Sequence, residues 1–249
     1  MPVTSTGARS TKTKGQSTKD KARISFVYFD LDDTLLDHRR AEKAALADCQ
    51  EHFAGHLSRH SLGHIQETYH RHNVPLWRDY GAGLITKNDL NQLRFERLLT
   101  ALEVSTIAPD VLGEHYLNRY AHHWSWIEGA EAAFHAIADR FPVGILTNGF
   151  KEIQHAKLDR FPSLRDRSAS IVISEEVGVM KPNPALFSHA AEKAGIDPEE
   201  ILYVGDSLHS DVEGGRNAGW QVAWFRGQQG LRDDVQVFGE WGKLVGRLW

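Results

Sequence analysis

Short uncharged runs rich in β-branched and aromatic residues alternate with longer stretches of helical composition along most of this chain. The first run, Ile24-Ser25-Phe26-Val27-Tyr28-Phe29, has the character of a strand buried on both faces. From Glu128 the alternation becomes regular. A helix over 130–140 precedes a strand at 143–147, and a helix over 150–161 precedes a strand at 171–174. A helix over 184–194, with Asn183 as its cap and Pro184 at its first position, precedes a strand at 201–204. A helix near 211–218 then leads to a strand at 221–225, and Val237, Trp241, Leu244, Val245 and Leu248 predict a short closing helix. Strands separated by helices predict an α/β fold with a parallel, doubly wound sheet.

Between 38 and 125 the pattern is helical throughout. Residues 41–53 have helical composition, and Thr86-Lys87-Asn88-Asp89 forms a helix start before Leu90, Leu93, Leu98 and Leu99. Pro109 opens another helix, with Val111, Leu112, Tyr116, Leu117 and Tyr120 on one face. The expected organisation is an α/β core from 23–37 and 126–249, an all-α insertion over 38–125, and a disordered basic tail over 1–22. That tail is Ser, Thr, Lys and Gly with little to bury.

Composition narrows the class. The chain has 249 residues, 41% hydrophobic and 25% charged, which suits a globular protein with a sizeable core. A net charge of −4 gives no field to attract a nucleic-acid polymer. One cysteine, Cys49, makes neither an internal disulfide nor a zinc site, which fits a reducing cytoplasm. No apolar run approaches the roughly 18 residues of a membrane span, and no secretory signal is visible.

The chemistry sits where the predicted strands end. Asp30-Leu31-Asp32-Asp33-Thr34 follows the first strand directly, and open α/β sheets bind ligands at such carboxyl ends. A helix cap needs one such residue, whereas three crowded carboxylates favour a cation. Thr147-Asn148-Gly149 ends another strand with donors suited to an oxyanion, although the same residues also make an ordinary turn. Val204-Gly205-Asp206-Ser207 ends a third in a carboxylate, with Asp211 five residues beyond. Lys181, kept extended by Pro182, lies just before a helix. Carboxylates at two strand ends suit a hard divalent cation, Mg²⁺, and the Thr and Lys donors suit phosphate. Asp30 is then placed to attack phosphorus.

This order of Asp-x-Asp-x-Thr, Thr-Asn-Gly, Lys-Pro and Gly-Asp-x-x-x-x-Asp resembles the haloacid dehalogenase superfamily over about 23–227. The resemblance implies a Rossmann-like core with a helical cap inserted after the first motif. It implies Asp30 as nucleophile and Asp32 as general acid/base, the latter also giving its backbone carbonyl to Mg²⁺. It further implies Thr147, Asn148 and Lys181 as phosphate ligands, Asp206 as metal ligand and Asp211 in support. Dehalogenases of this group lack the second Asp, so Asp32 favours a phosphatase over a 2-haloacid dehalogenase. The intact set argues against a non-catalytic binding protein. Residues 29–37, with 178–182 and 205–207, are similar to the pyrimidine 5′-nucleotidase-like and N-acylneuraminate-9-phosphatase-like branches. The implied substrate is a small phosphomonoester, and the implied state a monomer or homodimer.

Two further features lie in the insertion. His52, His56, His60 and His64 recur every four residues, but Gly55, Ser58 and Gly63 interrupt the run, and a solvated face is expected. Trp77, Trp124 and Trp126 are expected mainly to pack. Trp77 and Arg78, beside Pro75 in the least regular part of the insertion, are candidates for contacting the leaving group.

Overall fold

The computed structural model describes residues 23–232 and 234–248, so the expected basic tail lies outside the described residues. Six strands form one parallel sheet: β1 (Phe26–Phe29), β2 (Val143–Thr147), β3 (Ser168–Ile173), β4 (Ile201–Gly205), β5 (Gln221–Phe225) and β6 (Gln236–Phe238). Their order is β3-β2-β1-β4-β5-β6, the doubly wound order of a Rossmann-like sheet. Strand succession reverses between β1 and β4, which opens a crevice at their carboxyl ends. Phe29 lies opposite both Ile145 and Val204, so Asp30 emerges level with the end of β4.

The chain alternation follows from where the side chains go. β1 is buried on both faces because Val27 and Phe29 meet Phe134, Ile137, Trp241 and Leu244 on one side. Phe26 and Tyr28 meet Leu186, Phe187 and Trp220 on the other. Each such side chain contributes on the order of 1.5–3 kcal/mol by leaving water.

Five helices fill the interval between β1 and β2 that was expected to be helical: α1 (His38–His52), α2 (Ala54–Leu57), α3 (Leu62–Gly81), α4 (Lys87–Ala101) and α5 (Pro109–His122). They enclose a separate apolar core that includes Leu46, Tyr69, Phe95, Leu98, Leu112 and Tyr116. Thr86 caps α4 reciprocally, its hydroxyl accepting from Asp89 N while the Asp89 carboxylate accepts from Thr86 N. The region around Pro75, expected to be irregular, is instead the interior of the 20-residue α3. Proline there removes one helical N–H, and the burial of Ile65, Tyr69 and Leu76 on one side of α3 outweighs that loss. The histidine run does not share a face. Phe53 ends α1 and 58–61 separate α2 from α3, so His52 stacks on His115 whereas His56 pairs with Thr106.

Beyond the insertion come α6 (Ala130–Ala138), α7 (Lys151–Arg160), α8 (Pro162–Arg167), α9 (Ser174–Val177), α10 (Pro184–Ala194), α11 (Gly214–Asn217) and α12 (Trp241–Leu248). The helix expected over 211–218 begins earlier, as a wide π-helical turn over Leu208–Glu213 that runs into α11. Strand β6 was not expected; at three residues it is too short to show a period.

The two crossings into the insertion lie side by side. Leu36 bridges to Trp126 in antiparallel fashion, Asp37 N donates to Ser125 O at 2.9 Å, and Ile127 N donates to Leu35 O at 2.9 Å. Trp124 is buried in the insertion core, and Trp126 packs edge-on against Phe161. Both serve packing. No helix among the described residues is long and apolar enough to cross a membrane.

Candidate active site

The turn after β1 folds back tightly, with Leu35 N and Leu36 N both donating to Leu31 O. Asp33 takes a left-handed backbone at φ 59°, a conformation that Asp tolerates better than most residues. Its carboxylate accepts from Arg39 N and pairs with the Arg39 guanidinium at 3.1 Å, tying the turn to the start of α1.

Asp30 points into a buried cluster. The Lys181 ammonium donates to Asp30 Oδ1 at 2.6 Å, to Tyr203 Oη at 2.7 Å and to Asp211 Oδ1 at 2.8 Å. All its donors are used. Thr34 Oγ1 donates to Asp30 Oδ2 at 3.3 Å and lies 3.5 Å from Asp206 Oδ1. Burial raises the Asp30 carboxyl well above its usual range; Lys181 opposes that shift, while Asp211 and Asp206 add to it. Lys181 is held firmly protonated, because Asp211 and Asp30 outweigh the effect of its burial.

Oxygens of Asp30, Asp206 and Asp211 lie within 4.8 Å of one another. Burial, then Asp211 and Asp33, push Asp206 up to about 7 despite Arg39 and Lys181. Three carboxylates beside one buried ammonium leave surplus negative charge, and their all-oxygen donors fit a hard divalent ion. Asp211 is the least available of the three. Its Oδ1 accepts from Lys181 and Tyr203 and its Oδ2 from Ser207 N, so it positions others. Glycine at 205 is required by this packing, since a Cβ there would meet Asp211 at 2.5 Å.

Asp32 turns the other way. Its two oxygens accept from Lys157 Nζ at 2.6 and 2.8 Å, and Oδ2 also accepts from Gln154 at 3.0 Å. Burial pushes this carboxyl up, but Lys157, His38 and the bonds from Lys157 and Gln154 together hold it below its ordinary value. Only the main chain of Asp32 is then left to face the Asp30 side. Lys157 itself is 2% exposed and lies under the rings of Tyr120 and Trp124, at 5.4 and 5.8 Å.

Thr147 and Asn148 follow β2. The Thr147 hydroxyl accepts from Gln154 at 2.7 Å. Asn148, expected on phosphate, has its side-chain amide tied to Lys181: Lys181 N donates to its Oδ1 at 2.8 Å and one Nδ2 hydrogen goes to Lys181 O at 3.0 Å. These bonds hold the Lys181 backbone beside the end of β2. Gln154 and Lys157 did not stand out in the sequence. The available signal was α7 itself, whose sequence KEIQHAKLDR has too few apolar residues for a packed helix unless polar ones are buried.

Trp77 stacks near Phe150 with centroids 4.8 Å apart and lines a cavity of about 300 Å³ that reaches Asp32. Arg78 is exposed and lines a second cleft together with Trp77, beside Lys181, Pro182 and His209. The two candidates thus share that cleft, and Trp77 alone of the pair also lines the cavity at Asp32.

Residues 24–219 match the family model for haloacid dehalogenase-like hydrolases. The chain is 37% identical over 200 residues to pyrimidine 5′-nucleotidase YjjG of Escherichia coli, covering 80% of this chain and 84% of that protein. It is 29% identical to the glyceraldehyde 3-phosphate phosphatase of Pyrococcus furiosus, covering 82% and 81%. Among solved structures, the magnesium-bound putative HAD-hydrolase YfnB of Bacillus subtilis superposes with a TM-score of 0.79 at 27% identity, covering 91% of this chain and 99% of that one. With strand-end carboxylates, buried lysine and doubly wound sheet in the same order along the chain, this protein belongs to the haloacid dehalogenase-like hydrolases.

Proposed function

We propose that this hydrolase removes the phosphoryl group from a small phosphomonoester, a nucleoside monophosphate or a sugar phosphate, through an aspartyl-phosphate on Asp30. The observation that carries the reading is the division of labour within one turn. Asp30 faces Lys181 and the acidic cluster, while Asp32, two residues on, faces the cavity. A 2-haloacid dehalogenase would have no alkoxide for Asp32 to protonate.

Asp30 attacks phosphorus in line, and the bond to the leaving oxygen breaks as Asp32 delivers a proton to it. Water then attacks the aspartyl-phosphate while Asp32 takes the water's proton, releasing phosphate and restoring Asp30. In this reading Lys181 turns part of its ammonium from Asp30 to the transferring oxygens, which Thr147 also meets, while Asn148 fixes the Lys181 backbone. Asp30, Asp206 and the Asp32 carbonyl would hold Mg²⁺, with Asp211 in support. The ion supplies positive charge for the phosphoryl oxygens.

Phosphate release from a panel of nucleotides and sugar phosphates tests this reading. Turnover is expected with Mg²⁺, to vanish in excess EDTA, and to return on adding Mg²⁺ but poorly with Ca²⁺, whose coordination is looser. Full turnover in EDTA would remove the metal assignment, and no phosphate release from any ester would remove the function.

Lys157 has a role that can be separated from packing. While it chelates the Asp32 carboxylate it favours the base form, which serves the second step and opposes the first. Lys157→Met is expected to lower kcat and to move the descending alkaline limb of kcat/KM to higher pH, because Asp32 loses the cation that depresses it. A lower Tm with an unmoved pH profile would leave Lys157 a packing residue only.

A further inference from the structure

The Gln154 side chain, 1% exposed, ends between two groups of the active site. Its amide nitrogen donates to Thr147 Oγ1 at 2.7 Å and to Asp32 Oδ2 at 3.0 Å, and Asn148 O lies 3.2 Å from it. Its Oε1 has no hydrogen-bond partner among the described residues. Burying an amide oxygen without a partner is unfavourable, and an apolar side chain of the same length would avoid that cost. Such a side chain would also leave Thr147 and Asp32 without their common donor. The backbone makes room for the amide: a Cβ on Gly149 would meet the Gln154 amide carbon and nitrogen at 2.9 Å.

The chemistry of the partners settles where the hydrogens go. The Asp32 carboxylate, paired with Lys157, can only accept, so the amide turns its nitrogen and not its oxygen towards it. That same nitrogen reaches Thr147, whose oxygen must then accept. The hydrogen of the Thr147 hydroxyl is left over. Among the described residues it meets Asn148 O alone, at a long 3.3 Å, so it is free to turn to an incoming oxygen. A hydroxyl by itself rotates and serves as donor or acceptor, whereas a phosphoryl group presents acceptors and needs a donor. The two Asp32 oxygens also become unequal. Oδ2 accepts from both Lys157 and Gln154, whereas Oδ1 accepts from Lys157 alone and keeps room for a further partner.

We propose that Gln154 is a positioning residue that sets the direction of two hydrogen bonds in the reaction. It commits the Thr147 hydroxyl to donate to the phosphoryl oxygens, and it leaves Asp32 Oδ1 as the atom that hands a proton to the leaving oxygen. The assignment rests on the phosphatase reading above and goes beyond it, because the two ends of the breaking bond then share one anchor on α7.

Phosphate binding tests the Thr147 half without turnover. Calorimetry on the full-length protein in Mg²⁺ compares wild type, Gln154→Met, Thr147→Val and the double variant. Gln154→Met is expected to weaken inorganic phosphate binding about tenfold, since the Thr147 hydroxyl loses its fixed sense. Thr147→Val is expected to weaken it at least as much, and adding Gln154→Met to that variant is expected to weaken it no further. If Gln154→Met fails to fold, Gln154→Asn carries the same cycle, because it keeps the amide and shortens its reach. The Asp32 half is read from leaving groups. The ratio of kcat/KM for glycerol phosphate to that for p-nitrophenyl phosphate, whose phenolate departs with little need of a proton, is expected to fall at least about tenfold in Gln154→Met. Losses of phosphate binding that add in the double variant, or an unchanged ratio between the esters, would overturn the assignment and leave the phosphatase reading standing. A wild type that binds no phosphate and hydrolyses no ester would overturn both.

Discussion

Asp30→Asn is expected to cut turnover on the order of 10⁴-fold or more while leaving the fold at least as stable as wild type. An amide is a poor nucleophile, and no neighbouring carboxylate can replace Asp30 as attacking group. Asp211 is saturated by Lys181, Tyr203 and Ser207, and Asp32 faces Lys157. The stability half of the prediction follows from burial. Asp30 sits 8% exposed among Asp206 and Asp211, and its carboxyl is raised by burial more than Lys181 lowers it. Removing one charge from that cluster relieves like-charge repulsion, and Lys181 keeps Asp211 as a partner. Phosphate release and thermal melting on one preparation check both halves. Activity above a tenth of wild type, with deamidation excluded, would take the nucleophile role from Asp30. A clear drop in Tm would show that Asp30 is structural.

Lys181→Met has the second largest expected effect, and it strikes stability as well as activity. The ammonium joins Asp30, Asp211 and Tyr203 in a space where the lysine and Asp211 side chains are 2% and 1% exposed. Removing the cation leaves two carboxylates buried without compensation, a loss of about 3–5 kcal/mol. The loss has a pH signature. Asp30 has a native pKa raised above its unfolded value, and losing Lys181 raises it further. A raised carboxyl favours the fold below the unfolded value near 4, and that favour is lost as pH rises towards the native value. The deficit of Lys181→Met relative to wild type is therefore expected to be small near pH 4 and to widen towards pH 8. Denaturant melts across that range measure it. A deficit independent of pH would mean that Lys181 contributes through packing rather than charge.

The strand-end residues were legible because they break a strong pattern. Asp30 and Asp206 follow runs of buried apolar residues, where a carboxylate has no packing reason to be. Lys181 was legible only by its company with them. Sequence does not show that the Asn148 amide also lies opposite the Lys181 backbone, 33 residues away. Lys157 and Gln154 were hidden differently. A polar residue on a helix usually faces water, and only the fold shows that this side of α7 lies under Tyr120 and Trp124. Pro75 misdirected the reading, because local propensity treats proline as a break and says nothing of the packing that carries α3 through it. Arg94 and Asn73 fall among ordinary helical residues, and their burial comes from a neighbour relation between α3 and α4 that no spacing encodes.

The paired crossings at Leu36 and Trp126 make the insertion a room with a single doorway. The chain goes in at Asp37 and comes out at Ser125, with those two residues joined by a backbone hydrogen bond of 2.9 Å. No residue between them takes part in the strand ladder, whose pairings run from β1 directly to β2 and β4. The sheet is complete at the threshold. Most of what stands behind the doorway can therefore be refurnished without breaking a rung of the sheet. The exceptions are the residues at its sill, such as Arg39, which reaches Asp33 and Asp206.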